Sequence, residues 1–190
     1  MLEVMLWAII AYGIGSIPIG WIVSFCVRGQ DIRQQGSRSM GTTNVMRTVG
    51  KKWGILTFVG DALKGMALAA LGLNLESQDF AMGDFILPLG VVGHIWPLWL
   101  KFQGGKGVAV FLGGLLWTSP LWGLISIALW GLITALTRYS VLGSLVACCA
   151  GVGGLLNTLE ITGFVISLPL ILYAHRSNLM RLWRGHELKI

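Results

Sequence analysis

Three stretches of this sequence hold residue types that could bind an anion and move a proton. The first is Gly36-Ser37-Arg38-Ser39-Met40-Gly41-Thr42-Thr43-Asn44-Val45-Met46-Arg47-Thr48-Val49-Gly50-Lys51-Lys52. Small hydroxyl residues and glycines leave backbone N–H groups accessible. Thr42 or Thr43 can cap a short helix, and Asn44 and Arg47 then share one face at i, i+3. A solvated basic loop held by anionic lipids is the plainer use, and it suits Lys51 and Lys52 better than Ser37, Asn44 or Arg47. The second is Lys101-Phe102-Gln103-Gly104-Gly105-Lys106-Gly107, which leads straight into an apolar segment. A glycine-rich turn before a helix N-terminus offers unobstructed N–H groups and the positive end of the helix dipole, and Lys106 adds a full charge, so phosphate binding is expected there. Gly107 stands where a Walker A loop carries Ser or Thr, so the turn is not of that type. The third, His175-Arg176-Ser177-Asn178-Leu179-Met180-Arg181-Leu182-Trp183-Arg184-Gly185-His186-Glu187, puts His175 and Asn178 on one helical face. Its apolar stripe of Leu179, Leu182 and Trp183 could also serve as an interfacial anchor. His94 fits either a site residue or a hydrogen-bonded core histidine, and sequence leaves both open.

The chemistry these stretches could carry is bounded by what is missing. There is no G-x-S-x-G nucleophile elbow, no metal-ligand cluster and no dinucleotide fingerprint, so neither metal nor cofactor is expected. None of His94, His175 and His186 has an aspartate five residues later, which removes the His-x4-Asp pattern of soluble acyl-CoA acyltransferases. Cys26, Cys148 and Cys149 sit in or beside apolar segments and read as packing residues. An enzyme built from the remaining groups would work by phosphate clamping, orientation and stabilisation of developing charge.

The elements that must position these groups are set by composition. Of 190 residues, 55% are hydrophobic and 12% charged, against about a quarter charged in soluble domains, and the mean hydropathy is +0.75. An all-α integral membrane protein is therefore expected, with residues 1–190 forming a single transmembrane domain because each span takes roughly 20 residues. Apolar stretches near 2–27, 54–73, 85–100, 107–118, 120–137, 140–157 and 161–174 predict about seven transmembrane helices. The stretches at 107–118 and 161–174 are short, so one of them could be re-entrant or start beneath the membrane surface. The first stretch lacks a basic leading region and a small-residue cleavage site, and reads as a span rather than a removable signal.

Charge then orients the spans. With the N-terminus outside, thirteen of the fourteen Lys and Arg residues fall in inner segments, and the outer segments carry only Glu3, Glu76, Asp79, Asp84 and Glu160. The remaining cation, Lys64, lies within the second span beside Asp61. An external N-terminus and a cytoplasmic C-terminus follow, and all three chemical stretches then lie on the inner face. A pI of 9.6 thus describes one membrane face and calls for a lipid bilayer, with no nucleic acid.

On these residues the chain resembles the bacterial acyl-phosphate:glycerol-3-phosphate acyltransferases, the PlsY family. The resemblance rests on Gly36 to Lys52, on Gly93-His94-Ile95-Trp96-Pro97 through Ala109, and on His175 to Glu187. Gly15-Ser16-Ile17-Pro18-Ile19-Gly20 and Gly60-Asp61-Ala62-Leu63-Lys64-Gly65 are similar to that family too. It implies transfer of a fatty acyl group from acyl phosphate to the sn-1 hydroxyl of glycerol 3-phosphate, giving lysophosphatidic acid and inorganic phosphate, the first step of bacterial phospholipid synthesis. It also implies an inner-membrane location and a functional link to the acyl-phosphate-forming enzyme. Ser37, Arg47, Lys106, His175 and Asn178 are the catalytic positions it implies, with Gly41, Thr43, Asn44, Gly104, Gly105 and Gly107 contacting substrate and Glu187 tying the C-terminal segment to a basic neighbour. Where the family often reads Gly-Ser-Gly-Asn-Ile-Gly-Ala-Thr-Asn, this chain has Gly36-Ser37-Arg38-Ser39-Met40-Gly41-Thr42-Thr43-Asn44, so Arg38 and Ser39 depart from it. Two other classes remain, a transporter of organic phosphates built around Lys64 and a lipid-binding scaffold without turnover.

Overall fold

The computed structural model describes residues 2–76 and 82–190, and the regular elements among them are all helical. Asp79 and the side chain of Glu76, two of the expected outer charges, lie outside the described residues. The first apolar stretch is two helices, α1 (Leu2–Ser16) and α2 (Ile19–Arg28), because Pro18 has no N–H to donate and its ring excludes a carbonyl of the preceding turn. A loop and the short α3 (Thr42–Thr48) lead to the long α4 (Lys51–Glu76) and then to α5 (Gly83–Ile95). α6 (Val108–Thr118) follows the glycine-rich turn, and α7 (Pro120–Thr137) is started by a proline at its first position. α8 (Ser140–Gly154), α9 (Ile161–Ala174) and α10 (Arg176–Trp183) complete the chain.

Each of the expected apolar stretches is therefore helical. Leu2–Arg28, Lys51–Leu75, Gly83–Leu100 and Pro120–Thr137 are long and apolar enough to cross a membrane, whereas α6, α8 and α9 are shorter apolar helices. Large apolar side chains such as Ile9, Leu121, Leu132 and Leu136 remain exposed, as a lipid-facing surface requires.

α6 is the central helix, and Val110, Phe111, Leu112 and Leu115 along it are buried against α5, α8 and α9. Its 11 residues rise about 16 Å, roughly half of a hydrocarbon core about 30 Å thick, in keeping with the short apolar stretch there. It packs backbone to backbone on α4. A Cβ at Gly65 would lie 1.9 Å from the Val110 carbonyl oxygen, and one at Gly113 would lie 2.0 Å from that of Ala62. Small residues at such crossings let dispersion replace the hydrophobic driving force that lipid cannot supply. A smaller apolar cluster, Val23, Ile32, Met40, Val45, Val49 and Leu100, anchors the loop before α3.

The three chemical stretches meet at one end of the bundle. The segment after α10 runs across that end: Arg47 donates to the carbonyls of Leu188 and Lys189, and the Arg138 guanidinium donates to that of Ile190. The Ile190 N–H returns a bond to the Arg138 carbonyl at 2.9 Å.

Candidate active site

A cavity of about 70 Å³ opens at this end. Ser37, Ser39, Gly41, Thr42, Thr43 and Asn44 line it from the first stretch, Lys106 and Gly107 from the second, and His175 from the third.

The N–H groups of the glycine turn in the second stretch are used otherwise than its sequence suggests. The Gly104 N–H donates to the Ile95 carbonyl at 3.1 Å and the Gly105 N–H to the His94 carbonyl at 3.0 Å. A helix C-terminus leaves its last carbonyls unpaired, and here the glycine turn pairs those of α5. Gly104 and Gly105 therefore do not present these groups to a phosphate. The available donors belong to the first turn of α6, whose first internal bond runs from Phe111 to the Gly107 carbonyl at 2.9 Å. The N–H groups of Val108, Ala109 and Val110 have no partner within the helix, and its positive dipole end faces the cavity beside Lys106. Gly107, at φ 84°, permits the left-handed turn that starts α6 there. Burial pushes the Lys106 ammonium down to about 8, with the carboxylate of Glu187 opposing that shift and Arg181 and Arg47 adding to it.

His175 and Asn178 share the buried face expected of them, at 2% and 3% exposure, yet they do different things. The Nδ1 of His175 lies 2.9 Å from the Ile171 carbonyl oxygen, which can only accept, so Nδ1 carries the hydrogen and Nε2 keeps its lone pair. Burial first, then the charge of Lys106, lowers its pKa to about 4, against the Ile171 bond that raises it. The ring is thus neutral near pH 7, with an acceptor nitrogen free for the cavity. Asn178 does not line that cavity. Its amide nitrogen donates to Glu187 Oε1, while Arg181 Nε lies 2.8 Å from Glu187 Oε2. Glu187 is the expected tie to a basic neighbour, and Asn178 helps hold it; among the described residues the Asn178 Oδ1 is buried with no partner.

In the first stretch α3 forms as expected but is not capped by a threonine. Gly41 stands at its N-cap with no side-chain bond, and Thr42 Oγ1 is buried with no partner among the described residues. Nor do Asn44 and Arg47 act together on one face. Asn44 Oδ1 accepts the Ser37 N–H at 2.9 Å, and its Nδ2 donates to the carbonyls of Gln35 and Ser39 at 3.0 and 2.8 Å. Its amide is thereby used in shaping the loop that carries Ser37. Arg47 lies outside the cavity wall, its guanidinium on the carbonyls of Leu188 and Lys189 and its pKa lowered by burial.

Sequence alone left His94 open and did not place the other residues of this wall. Asp61 and His94 line the cavity, and so do Ser140 and Ser144 at the start of α8 and the apolar Phe58, Leu112 and Trp130. Lys64 forms a buried ion pair with Asp61 at 2.9 Å and donates to the carbonyls of Gly15 and Ile17 at 3.1 and 2.7 Å. Those carbonyls lie at the α1–α2 break, so Lys64 is a structural cation rather than a transport site. The i, i+3 spacing of Asp61 and Lys64 was the signal for the pair. Ser140 and Ser144, one turn apart beyond an inner turn, gave a weaker one.

The profile of the family described as Glycerol-3-phosphate acyltransferase matches residues 5–185. A glycerol-3-phosphate acyltransferase of Clostridioides difficile (strain 630) is 38% identical, covering 96% of this chain and 93% of that relative. The chain belongs to the glycerol-3-phosphate acyltransferase family. One of Ruegeria pomeroyi is 40% identical over 98% of this chain and 92% of its own. The crystal structure of PlsY (YgiH), an integral membrane glycerol 3-phosphate acyltransferase, in its glycerol 3-phosphate form has a TM-score of 0.90 at 34% identity, covering 99% of this chain and 96% of that one. Its lysophosphatidic acid form gives 0.86 at 32% identity, covering 99% and 95%. This family member is a multi-pass membrane protein, and Arg38, where the resemblance led to the expectation of glycine, sits at φ 61°, a left-handed conformation that favours glycine. Ser39 instead bonds locally, accepting the Gly41 N–H at 3.3 Å.

Proposed function

We propose that this protein transfers a fatty acyl group from acyl phosphate to the sn-1 hydroxyl of glycerol 3-phosphate, at the cytoplasmic face of a bacterial inner membrane with its N-terminus outside. The observation that carries the reading is a single cavity shared by Lys106, the N-terminus of α6 and the free Nε2 of His175. Acyl phosphate is a mixed anhydride with its own leaving group, so no enzyme nucleophile is needed. The sn-1 oxygen attacks the acyl carbonyl carbon, the bond from that carbon to the phosphate oxygen breaks, and lysophosphatidic acid and inorganic phosphate leave. Lys106 and the first turn of α6 stabilise phosphate charge. The hydroxyls of Ser37 and Thr43 position the acceptor substrate, Arg47 adds positive potential from behind them, and Asn178 holds the Glu187 tie. The hydroxyl proton passes to His175 Nε2 or to the leaving phosphate. Phe58, Leu112 and Trp130 give the same cavity an apolar wall against which the acyl chain can lie. The bilayer delivers that chain, and a functional link to the enzyme that forms acyl phosphate follows from the choice of substrate.

The test is phosphate release by purified protein given palmitoyl phosphate, with and without glycerol 3-phosphate, with mass detection of the lipid. Release that requires glycerol 3-phosphate and matches lysophosphatidic acid in amount is the expected result. Turnover with acyl-CoA but not acyl phosphate would overturn the assignment of the acyl donor. Binding without release would favour the scaffold.

A further inference from the structure

Two histidines face the cavity, and the surroundings of their Nδ1 atoms give them opposite protonation patterns. His175 presents its Nδ1 to a carbonyl and therefore keeps an unprotonated Nε2. His94 presents its Nδ1 to the Lys64 ammonium at 3.3 Å. An ammonium has hydrogens and no lone pair, so the nitrogen facing it must be the acceptor. Asp61 Oδ1 is 3.7 Å from the same Nδ1, too far to hold a proton there. The hydrogen of the His94 ring is therefore on Nε2. That atom has no acceptor among the described residues, although His94 is 3% exposed and lines the cavity. It lies against Gly105, where an added Cβ would come within 2.1 Å of it. The glycine beside Lys106 thus makes room for the Nε2–H of a ring that lines the same cavity as Lys106.

From this we infer that His94 is a further substrate-binding residue, whose Nε2–H donates a hydrogen bond to a phosphoryl oxygen held by Lys106. Lys64 is a positioning residue for it, since its ammonium fixes which nitrogen carries the hydrogen, and Asp61 holds that ammonium in place. The inference rests on the reading of the cavity as a phosphate site given above. Either substrate brings such an oxygen, and the two are told apart by which KM responds.

The protonation pattern is directly measurable. Histidine ¹⁵N NMR on the wild-type protein in detergent should show His94 protonated at Nε2 and bare at Nδ1, with His175 the reverse. Inorganic phosphate or glycerol 3-phosphate should move the His94 Nε2–H signal. Finding His94 protonated at Nδ1 alone, or a signal indifferent to both ligands, overturns the inference. In turnover, His94→Gln keeps an N–H near the same place and should retain most activity. His94→Phe keeps bulk without the hydrogen and should lose about 10- to 100-fold in kcat/KM, the usual effect of losing a hydrogen bond to a charged oxygen. The loss should appear in the KM for glycerol 3-phosphate if its phosphate is the partner, and in kcat or the KM for acyl phosphate if the leaving group is. Equal activity in the Gln and Phe variants also overturns it. Phosphate contact at His94 in a protein that transfers no acyl group would refute the reaction and leave the contact standing.

Discussion

Replacing Lys106 by arginine separates its charge from its position. Burial holds its ammonium near 8 in the free protein, so the cation is present below that pH and disappears above it. The group is half-buried and its partner is an anion, so kcat/KM for glycerol 3-phosphate should be level between about pH 7 and 7.5 and then fall. A single titration near 8 gives about a tenfold loss by pH 9 and about a hundredfold by pH 10, because kcat/KM reports the free enzyme. Arginine stays charged throughout that range, so Lys106→Arg should act less well on the plateau, its fork being a poorer fit, but should lose the alkaline limb. The acid side is less informative, since His175 near 4 and the second ionisation of the substrate phosphate near 6 both fall there. The assay is initial-rate phosphate release at limiting glycerol 3-phosphate across the pH range, with thermal unfolding to check that the protein stays folded. A wild-type profile without an alkaline fall, or the same fall in Lys106→Arg, would show that the titrating cation is not Lys106.

Three further outcomes follow from the geometry. Lys64→Met should cost about 3–5 kcal/mol, because it leaves the Asp61 carboxylate buried without its counter-charge, whereas Lys64→Met with Asp61→Asn should recover much of that loss in detergent unfolding. Arg38→Gly should stabilise by about 1 kcal/mol by relieving a left-handed residue, and an unchanged unfolding midpoint would contradict the strain assigned to it. Asn44→Ala should cost about 2–4 kcal/mol, since it leaves buried loop groups unpaired, and should weaken glycerol 3-phosphate binding through displacement of Ser37; loss of turnover with no change in stability would mean that Asn44 contacts substrate directly.

Much of the helical plan was legible because apolar runs and prolines act locally. The start of α7 at Pro120 and the short α6 are readable from neighbouring residues, whereas the first stretch read as one unbroken span and is divided at Pro18. The convergence of Ser37, Lys106 and His175 was legible too, because each lies on a stretch that charge assigns to one face. The use made of each polar group was not. Gly104 and Gly105 looked like a phosphate cradle, but the carbonyls that claim their N–H groups belong to His94 and Ile95, which a chain reversal brings back onto the turn. Asn178 looked like a ligand for substrate because a sequence cannot show that Glu187 already occupies its amide, and the loop bonds of Asn44, which does line the cavity, were equally hidden. His94 was ambiguous for the same reason, its role being set by an ammonium 30 residues away on another helix.

The bond from Lys64 to the α1–α2 break bears on how the protein is made. α1 and α2 precede α4 in the chain; without α4 the Ile17 carbonyl accepts only the Ile19 N–H at 3.1 Å and the Gly15 carbonyl lacks its Lys64 bond, in a medium without water. Their partner arrives only when α4 follows, and Lys64 itself enters lipid with Asp61 one turn away to offset its charge. The first span therefore reaches its final hydrogen bonding only after the second has been synthesised. A chain stalled between them would expose an unfinished break to the insertion machinery, giving quality control a signal to act on.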